Sequence, residues 1–390
     1  SNKLRSALTM LGIVIGNASV IAMIGIGEGG QRFVAKQLES LGPNVLFVIP
    51  GNRASQRISR DVPKTLVFED AQAIANQVPT VAAVTGELNS RQVVTYGNQN
   101  SNVNIVGTTP AFLTVRDFET ATGRFFTDVD MKRNNQVVVL GADLAERLFG
   151  NSNPQGQQLR IKNASFQVIG VLESKGSNLG VNYDEAALIP LITMANRIVG
   201  RTSPYGLELT YIVVSAKNAE SVDAAQFQIT NLLRLRHKIT GEDDFTINTQ
   251  KDALQTVGQI TGALTIMLAA IAGISLFVGG IGIMNIMLVS VTERTQEIGL
   301  RKAIGATEQD ILLQFIIEAV IVSVFGGVVG TAVGVSGILL VAVVTPLEAA
   351  ISASAIATAV GVSGGIGLFF GVVPARRAAQ LDPIVALRSA

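Results

Sequence analysis

The chain has 390 residues, a formal net charge of +1, 48% hydrophobic residues and a mean hydropathy of +0.42. That is too apolar for an ordinary soluble protein and too polar for a chain lying wholly in lipid, so membrane spans combined with a water-exposed domain are expected. The balanced charge gives nucleic-acid binding no electrostatic footprint, and no cysteine with a single histidine excludes disulfides and thiol catalysis and leaves a zinc site without its usual ligands.

At the start, Lys3 and Arg5 precede an uncharged run, Ser6–Gly27, long enough to cross a bilayer. Gly12 and Gly16, with Ala18-Ser19, supply a small-residue face for close helix packing. A cleaved signal peptide shares the basic start, but the run is long and no A-x-A site follows, which favours a retained span. The first residue is not Met, so a trimmed or processed chain is expected. Gly27-Glu28-Gly29-Gly30-Gln31 reads as a helix end. It lacks the Leu and Ser of the ATPase signature LSGGQ, and no G-x-x-x-x-G-K-[ST] loop occurs, so no nucleotide site is assigned.

From 41 to 251 the texture becomes that of an α/β domain. Strands are predicted at Asn44–Ile49, Val81–Glu87, Gln92–Tyr96, Ser101–Val106, Val137–Leu140, Ala187–Ile192, Leu207–Val214 and Phe245–Asn248. Leu159–Ile161 and Phe166–Leu172 read as a hairpin about Asn163-Ala164. Helices are predicted at Phe68–Gln77, Ala142–Phe149 and Ala219–Leu235, and Glu173–Asp184 reads as an exposed flexible loop. Two βαβ-like units, near 44–87 and 207–248, flank a more β-rich middle at about 88–205. A split subdomain with a second one inserted in it explains that order. No enzyme site emerges. His237 lies in the basic run Arg234–Lys238, which should depress its charging. Asp128 with Asp130, and Asp243 with Asp244, read as solvated pairs or helix caps rather than catalytic dyads, and no G-x-S-x-G elbow appears.

Residues 253–292 carry no Asp, Glu, Lys or Arg, and neither do 319–347. The first of these runs is 40 residues, longer than one crossing needs, so Ala253–Ile260 is expected to continue as a helical stalk. Gly279 and Gly280 mark a closely packed or bendable level, with plain packing the preferred reading. Ile311–Val344 is the third span, with Gly326 and Gly327 on one broad face and Glu318 within reach of the membrane surface. A turn bearing Pro346 and Glu348 leads to the fourth span, Ile351–Val373, which contains Gly367 and Gly371 and which Pro374 should end.

Between the second and third spans lies a charged island, Thr292–Asp310, which must sit at a membrane surface. Glu293, Arg294, Glu297, Arg301 and Lys302 fit a short amphipathic helix. Gly305 is placed to end it and Thr307 to cap the next helix. The island is either a solvated loop with ordinary caps or a docking lever for a cytoplasmic partner. With four spans, Lys3, Arg5, Arg294, Arg301, Lys302, Arg376, Arg377 and Arg388 all fall on one side. The positive-inside rule makes that side cytoplasmic and the 41–251 domain extracytoplasmic.

Three motifs carry a family resemblance. Glu293-Arg294-Thr295-Gln296-Glu297-Ile298-Gly299-Leu300-Arg301-Lys302-Ala303-Ile304-Gly305-Ala306 resembles the signature loop of MacB/FtsX-type ABC transporter permeases. Pro374–Ala379 with Leu381–Arg388 resembles that family's C-terminal tail, and Leu4–Ile13 resembles its first span. The resemblance implies four transmembrane α-helices, with an α/β (α+β) extracytoplasmic "porter" and "sabre" pair inserted between the first and second. The divisions are then 1–40, 41–251 (88–205 being sabre-like) and 252–390, with a cytoplasmic coupling loop at 292–310. It implies a permease, not an enzyme, working as a homodimer. ATP and magnesium would be bound by a separate ABC ATPase subunit. Glu293, Arg294, Glu297, Arg301 and Lys302 would form the docking face, Ile298, Ala303 and Ile304 would fill an apolar groove on the ATPase, and Gly299 and Gly305 complete the loop. The family tends to carry a short amphipathic helix before the first span; only five residues precede it here, so a shortened N-terminus or a weaker contact is expected. Besides membrane lipids, the implied partners are a periplasmic MacA/HlyD-type adaptor and a TolC-type outer-membrane duct, for efflux of drugs, peptides or lipids by mechanotransmission. The alternative is an FtsX-like subunit that transports nothing and signals to an extracytoplasmic partner.

Overall fold

A computed structural model describes residues 2–39, 42, 44–52, 64–178, 181–200, 203–345 and 350–388. The turn read at Pro346 and Glu348, and the side chains of Lys3, Arg5, Leu387 and Arg388, lie outside the described residues. The chain divides into two compact units, Ala35–Gln255 and the pair Ser1–Val34 with Thr256–Ala390.

The first unit is built on strands β1 (Val45–Pro50), β2 (Val81–Tyr96), β3 (Gln99–Thr108), β4 (Thr120–Gly123), β5 (Val137–Leu140), β6 (Gln158–Ile161), β7 (Ala164–Leu172), β8 (Ser177–Asn178), β9 (Val181–Asn182), β10 (Ala187–Pro190), β11 (Tyr211–Ala216) and β12 (Phe245–Thr249). Strands β12-β1-β11-β2 are all antiparallel neighbours, the order of a split βαβ sheet. Alternation assigns their faces. Leu46, Val48, Ile212 and Val214 join the core beneath the helices Phe68–Gln77 and Val222–Arg236, while Val45 and Val213 pack with Val115 on the other face.

The 16-residue strand β2 serves two sheets. Residues 81–87 pair with β11, and 88–96 pair with β3. The polar stretch Asn89-Ser90-Arg91-Gln92 splits this strand in two by sequence pattern, yet backbone pairing on β3 carries it straight through. From β2 onward the pairings close on themselves through β3, β10, β5, β7 and β6, and β4 adds to β7.

Where the two sheets part, Glu87 and Arg116 are both buried. Arg116 donates from Nε (3.1 Å) and Nη2 (2.9 Å) to Glu87 Oε1. Glu87 Oε2 accepts from the Tyr183 and Tyr211 hydroxyls at 2.8 and 2.9 Å. Burial works against the Arg116 charge, but the facing Glu87 carboxylate holds the guanidinium above its ordinary value. Burial also pushes both tyrosine hydroxyls up.

Within the predicted loop 173–184, Glu173, Ser174 and Gly176 are exposed as expected, but the described residues are tied down rather than free. Asp184 is buried and accepts from Ser174 Oγ (2.7 Å) and from the amides of Lys175 (3.1 Å) and Gly176 (2.7 Å), which pins the segment beside the β8–β9 hairpin. Asp130, half of one acidic pair, is a cap: it accepts from the Thr127 amide at 2.9 Å, and despite burial its bonds to Arg124, Asn135 and Thr127 hold its carboxyl below the usual range.

His237 also reverses its expected behaviour. Its Nε2 meets Asp70 at 3.1 Å and its Nδ1 meets Asp244 at 2.9 Å, so Asp70 first, and Asp244 after it, raise its pKa against the opposing burial. The basic neighbours are answered elsewhere, with Arg234 on Asp243 and Arg236 on Asp70. Burial works against the Asp70 charge, but His237, Arg236 and the Val67 amide together hold its carboxyl below its ordinary value. A raised histidine stabilises the fold fully below its unfolded value of 6.5 and loses that contribution as pH rises through the folded value. The lowered Asp70 contributes above its unfolded value of 3.8 and loses that as pH falls. Thermal unfolding should therefore show the domain's best stability between those limits, and His237→Gln should flatten the fall on the alkaline side.

Among the described residues, four helices, lying mostly in the second unit, are long and apolar enough to cross a membrane: Met10–Leu38, Gln250–Glu293, Glu308–Val344 and Ala353–Ala379. Two expected helix ends are absent. The first helix runs on through Gly27–Gln31 to Glu39, and Gly27 lies close against Thr261 of the second span. The fourth runs through Pro374 to Ala379, because Pro374, Ala375, Ala378 and Ala379 are all buried and tertiary packing outweighs the missing N–H. The second helix is unbroken from Gln250 to Glu293 and includes the expected continuation at Ala253–Ile260.

Candidate functional site

The island folds as a short helix, Thr295–Ala303, joining the second and third spans. Arg294 leaves helical geometry at ψ 16°, while its amide still donates to Ser290 O at 3.0 Å, so the chain turns without losing a bond. Gly305, at φ +109°, ends the helix. Its amide donates to Lys302 O and that of Ala306 to Arg301 O, both near 3 Å, the reciprocal pair of a Schellman motif. Thr307 then opens the third span, accepting from the Asp310 amide while Asp310 accepts from its own, a capping box.

The helix has an inner and an outer face. Ile298 is fully buried in one cluster with Met287, Val291, Ile311, Phe315, Ala375 and Ala378. This corrects its assignment to an ATPase groove, since the side chain fills the seat between the ends of the second, third and fourth spans. Gly299 is buried beside it. Leu300, which sequence reasoning passed over, is 56% exposed, Ile304 is 79% exposed, and Ala303 and Gly305 are exposed. Spacing of three and four residues places 300, 303 and 304 on one outward apolar face.

The charges are partly committed. Arg294 donates to Glu318 at 3.3 Å, so Glu318 serves the loop. Arg301 lies 3.9 Å from Glu297 and donates to Gln314 at 3.4 Å. Such exposed pairs contribute about 0.5 kcal/mol or less, and Glu293, Arg294 and Glu297 remain exposed to a partner. Lys302 instead donates from Nζ to Ala379 O (2.7 Å) and Leu381 O (2.8 Å) at the end of the fourth span.

The glycines read as packing positions all lie against neighbouring spans. A Cβ at Gly12 would meet Gly279 Cα at 3.1 Å, so the first and second spans touch backbone to backbone there. Gly16 faces Leu276, Gly280 faces Phe370, Gly326 faces Ile13, and Gly367 and Gly371 face Ala319. Gly327 makes room for Asn17, a buried polar residue that the sequence reading did not single out. Its Nδ2 donates to Gly327 O (3.1 Å) and Ser363 Oγ (2.8 Å), joining three spans. Among the described residues no charged side chain is buried between the spans, and no cluster of three His, Cys, Asp or Glu residues could hold a metal ion.

Residues 6–232 match the family model for the MacB-like periplasmic core domain, and 269–383 match that for the FtsX-like permease C-terminal region. A protein of Bdellovibrio bacteriovorus named "Macrolide export ATP-binding/permease protein MacB" is 39% identical over 393 residues, covering 100% of this chain and 60% of the relative. One of the same name from Azoarcus sp. is 41% identical over 391 residues, covering 100% of this chain and 58% of the relative. The chain thus spans about 60% of the length of these curated relatives. Among solved structures, the periplasmic region of MacB from Actinobacillus actinomycetemcomitans aligns at a TM-score of 0.49 and 26% identity, over 57% of this chain and 95% of that one.

Proposed function

The chain belongs to the MacB-like permease family, and from that membership we propose that it converts ATP binding and hydrolysis by an ABC ATPase into movement of its inserted α/β domain. The observation that carries this reading is the coupling helix. One face is seated by Ile298 among the ends of three spans and the other presents Leu300 and Ile304 outward. A helix anchored on one side and apolar on the other is suited to receive a push and pass it on. Differential contacts in the two nucleotide states supply the energy.

In this reading the coupling helix and both ends of the four-span segment are cytoplasmic, the α/β domain is extracytoplasmic, two copies assemble, and ATP and magnesium are bound by an ABC ATPase. The lack of buried charge between the described spans favours force transmission over a polar cargo path through them. Cargo is then taken up on the far side and delivered through a MacA/HlyD-type adaptor and a TolC-type duct. The relatives' names make macrolides the first drugs to assay. The test is reconstitution in liposomes with the ABC ATPase that co-purifies. Hydrolysis stimulated by the permease supports the reading, and a chain that binds no ATPase overturns it.

A further inference from the structure

We propose that Lys302 is a positioning residue that fastens the coupling helix to the fourth span, so that displacing the helix moves the fourth span along with the second and third. This rests on the force-transmission reading above. The second and third spans continue covalently into the coupling helix through Arg294 and Gly305, but the fourth does not. It can follow only through contacts.

Those contacts are of two kinds. Ile298 packs in one cluster with Ala375, Ala378 and Ala379 of the fourth span. Apolar contact is non-directional and lets helices slide. The Lys302 ammonium is directional. It reaches Ala379 O at 2.7 Å and Leu381 O at 2.8 Å, on either side of the residue that caps the fourth-span helix, Gln380. Carbonyls at a helix end have no intrahelical partner, and the negative end of the helix dipole favours a cation there. An ammonium with three donors satisfies two carbonyls at once and fixes the register between the two helices. The following helix, Pro383–Arg388, packs on the coupling helix as well, with Ala386 buried, so the bond lies where three elements meet.

The chain has no cysteine, so introduced labels have no background. Leu11, Ile274 and Phe369 are exposed on the first, second and fourth spans. Spin labels at Leu11→Cys with Ile274→Cys, and at Leu11→Cys with Phe369→Cys, would report distances in the full chain reconstituted with its ATPase, with and without a non-hydrolysable ATP analogue. With Lys302 intact both distances should shift. In Lys302→Met the Phe369 shift should fall by at least half while the Ile274 shift persists, and Lys302→Arg should restore it. Should Lys302→Met fail to accumulate, Lys302→Gln, which keeps a donor without the charge, should give an intermediate shift. An undiminished Phe369 shift in Lys302→Met overturns the proposal. Loss of ATPase co-purification in that variant also overturns it, by making Lys302 a docking residue. If neither distance moves with Lys302 intact, the force-transmission reading falls, and the proposal with it.

Discussion

Replacing Glu87 with alanine should lower the unfolding temperature of the α/β domain by roughly 6–20 °C. Removing one partner of a buried ion pair costs about 3–5 kcal/mol, because the other charge stays buried and uncompensated. For a domain of this size each kcal/mol shifts the midpoint by about 2–4 °C. The Arg116 side chain is only 2% exposed, so water cannot replace the lost carboxylate. The Tyr183 and Tyr211 hydroxyls lose their acceptor in the same step. Arg116 Nη1 already has no hydrogen-bond partner among the described residues, so there is little reserve. Its guanidinium stacks on the Phe47 and Tyr183 rings at 4.9 and 5.4 Å, which holds its position but does not neutralise it. The double variant Glu87→Met with Arg116→Met should recover much of the loss, since two apolar groups leave no orphaned charge. Thermal unfolding of the parent chain, Glu87→Ala and the double variant checks both statements.

Ile304→Asp should abolish ATPase binding while leaving the permease folded. Ile304 is 79% exposed and Leu300 56%, so neither supports the structure of the isolated chain. An apolar anchor at the centre of an interface is worth about 2–4 kcal/mol, or roughly 30- to 700-fold in affinity. A carboxylate there adds the cost of burying an unpaired charge. Ile298→Asp should behave differently. Ile298 is fully buried, so its substitution should lower thermal stability as well as binding. Affinity and melting temperature measured on both variants separate a docking face from a structural seat. Equal loss of stability in both would contradict the division of the helix into an outer and an inner face.

The charge gaps made the spans legible, because a lipid environment imposes composition on long stretches. The capping of the coupling helix was legible too, since Gly305 and Thr307 act locally. The face of that helix was not. Ile298 and Leu300 are equally apolar, and only the arrangement of three distant spans decides which is buried. Pro374 misled for the same reason: its local penalty is real, but Ala375, Ala378 and Ala379 are buried in one cluster with residues of the second and third spans, more than 50 positions away. Glu87 and Arg116 are 29 residues apart, and His237 meets Asp70 across 167, separations at which no local pattern announces a partner. Those pairings belong to tertiary structure.

The proposed placement of the coupling helix and the α/β domain on opposite sides of the bilayer is open to a direct measurement. Ile304→Cys and Phe227→Cys, each the sole cysteine in its chain, expose one thiol on the coupling helix and one on the α/β domain. With a membrane-impermeant maleimide and the outer membrane permeabilised, the cysteine at 227 should react in intact cells. The one at 304 should react only after lysis, and bound ATPase should then protect it. Reaction of both from the same side would contradict the transmission of force across the membrane by this chain.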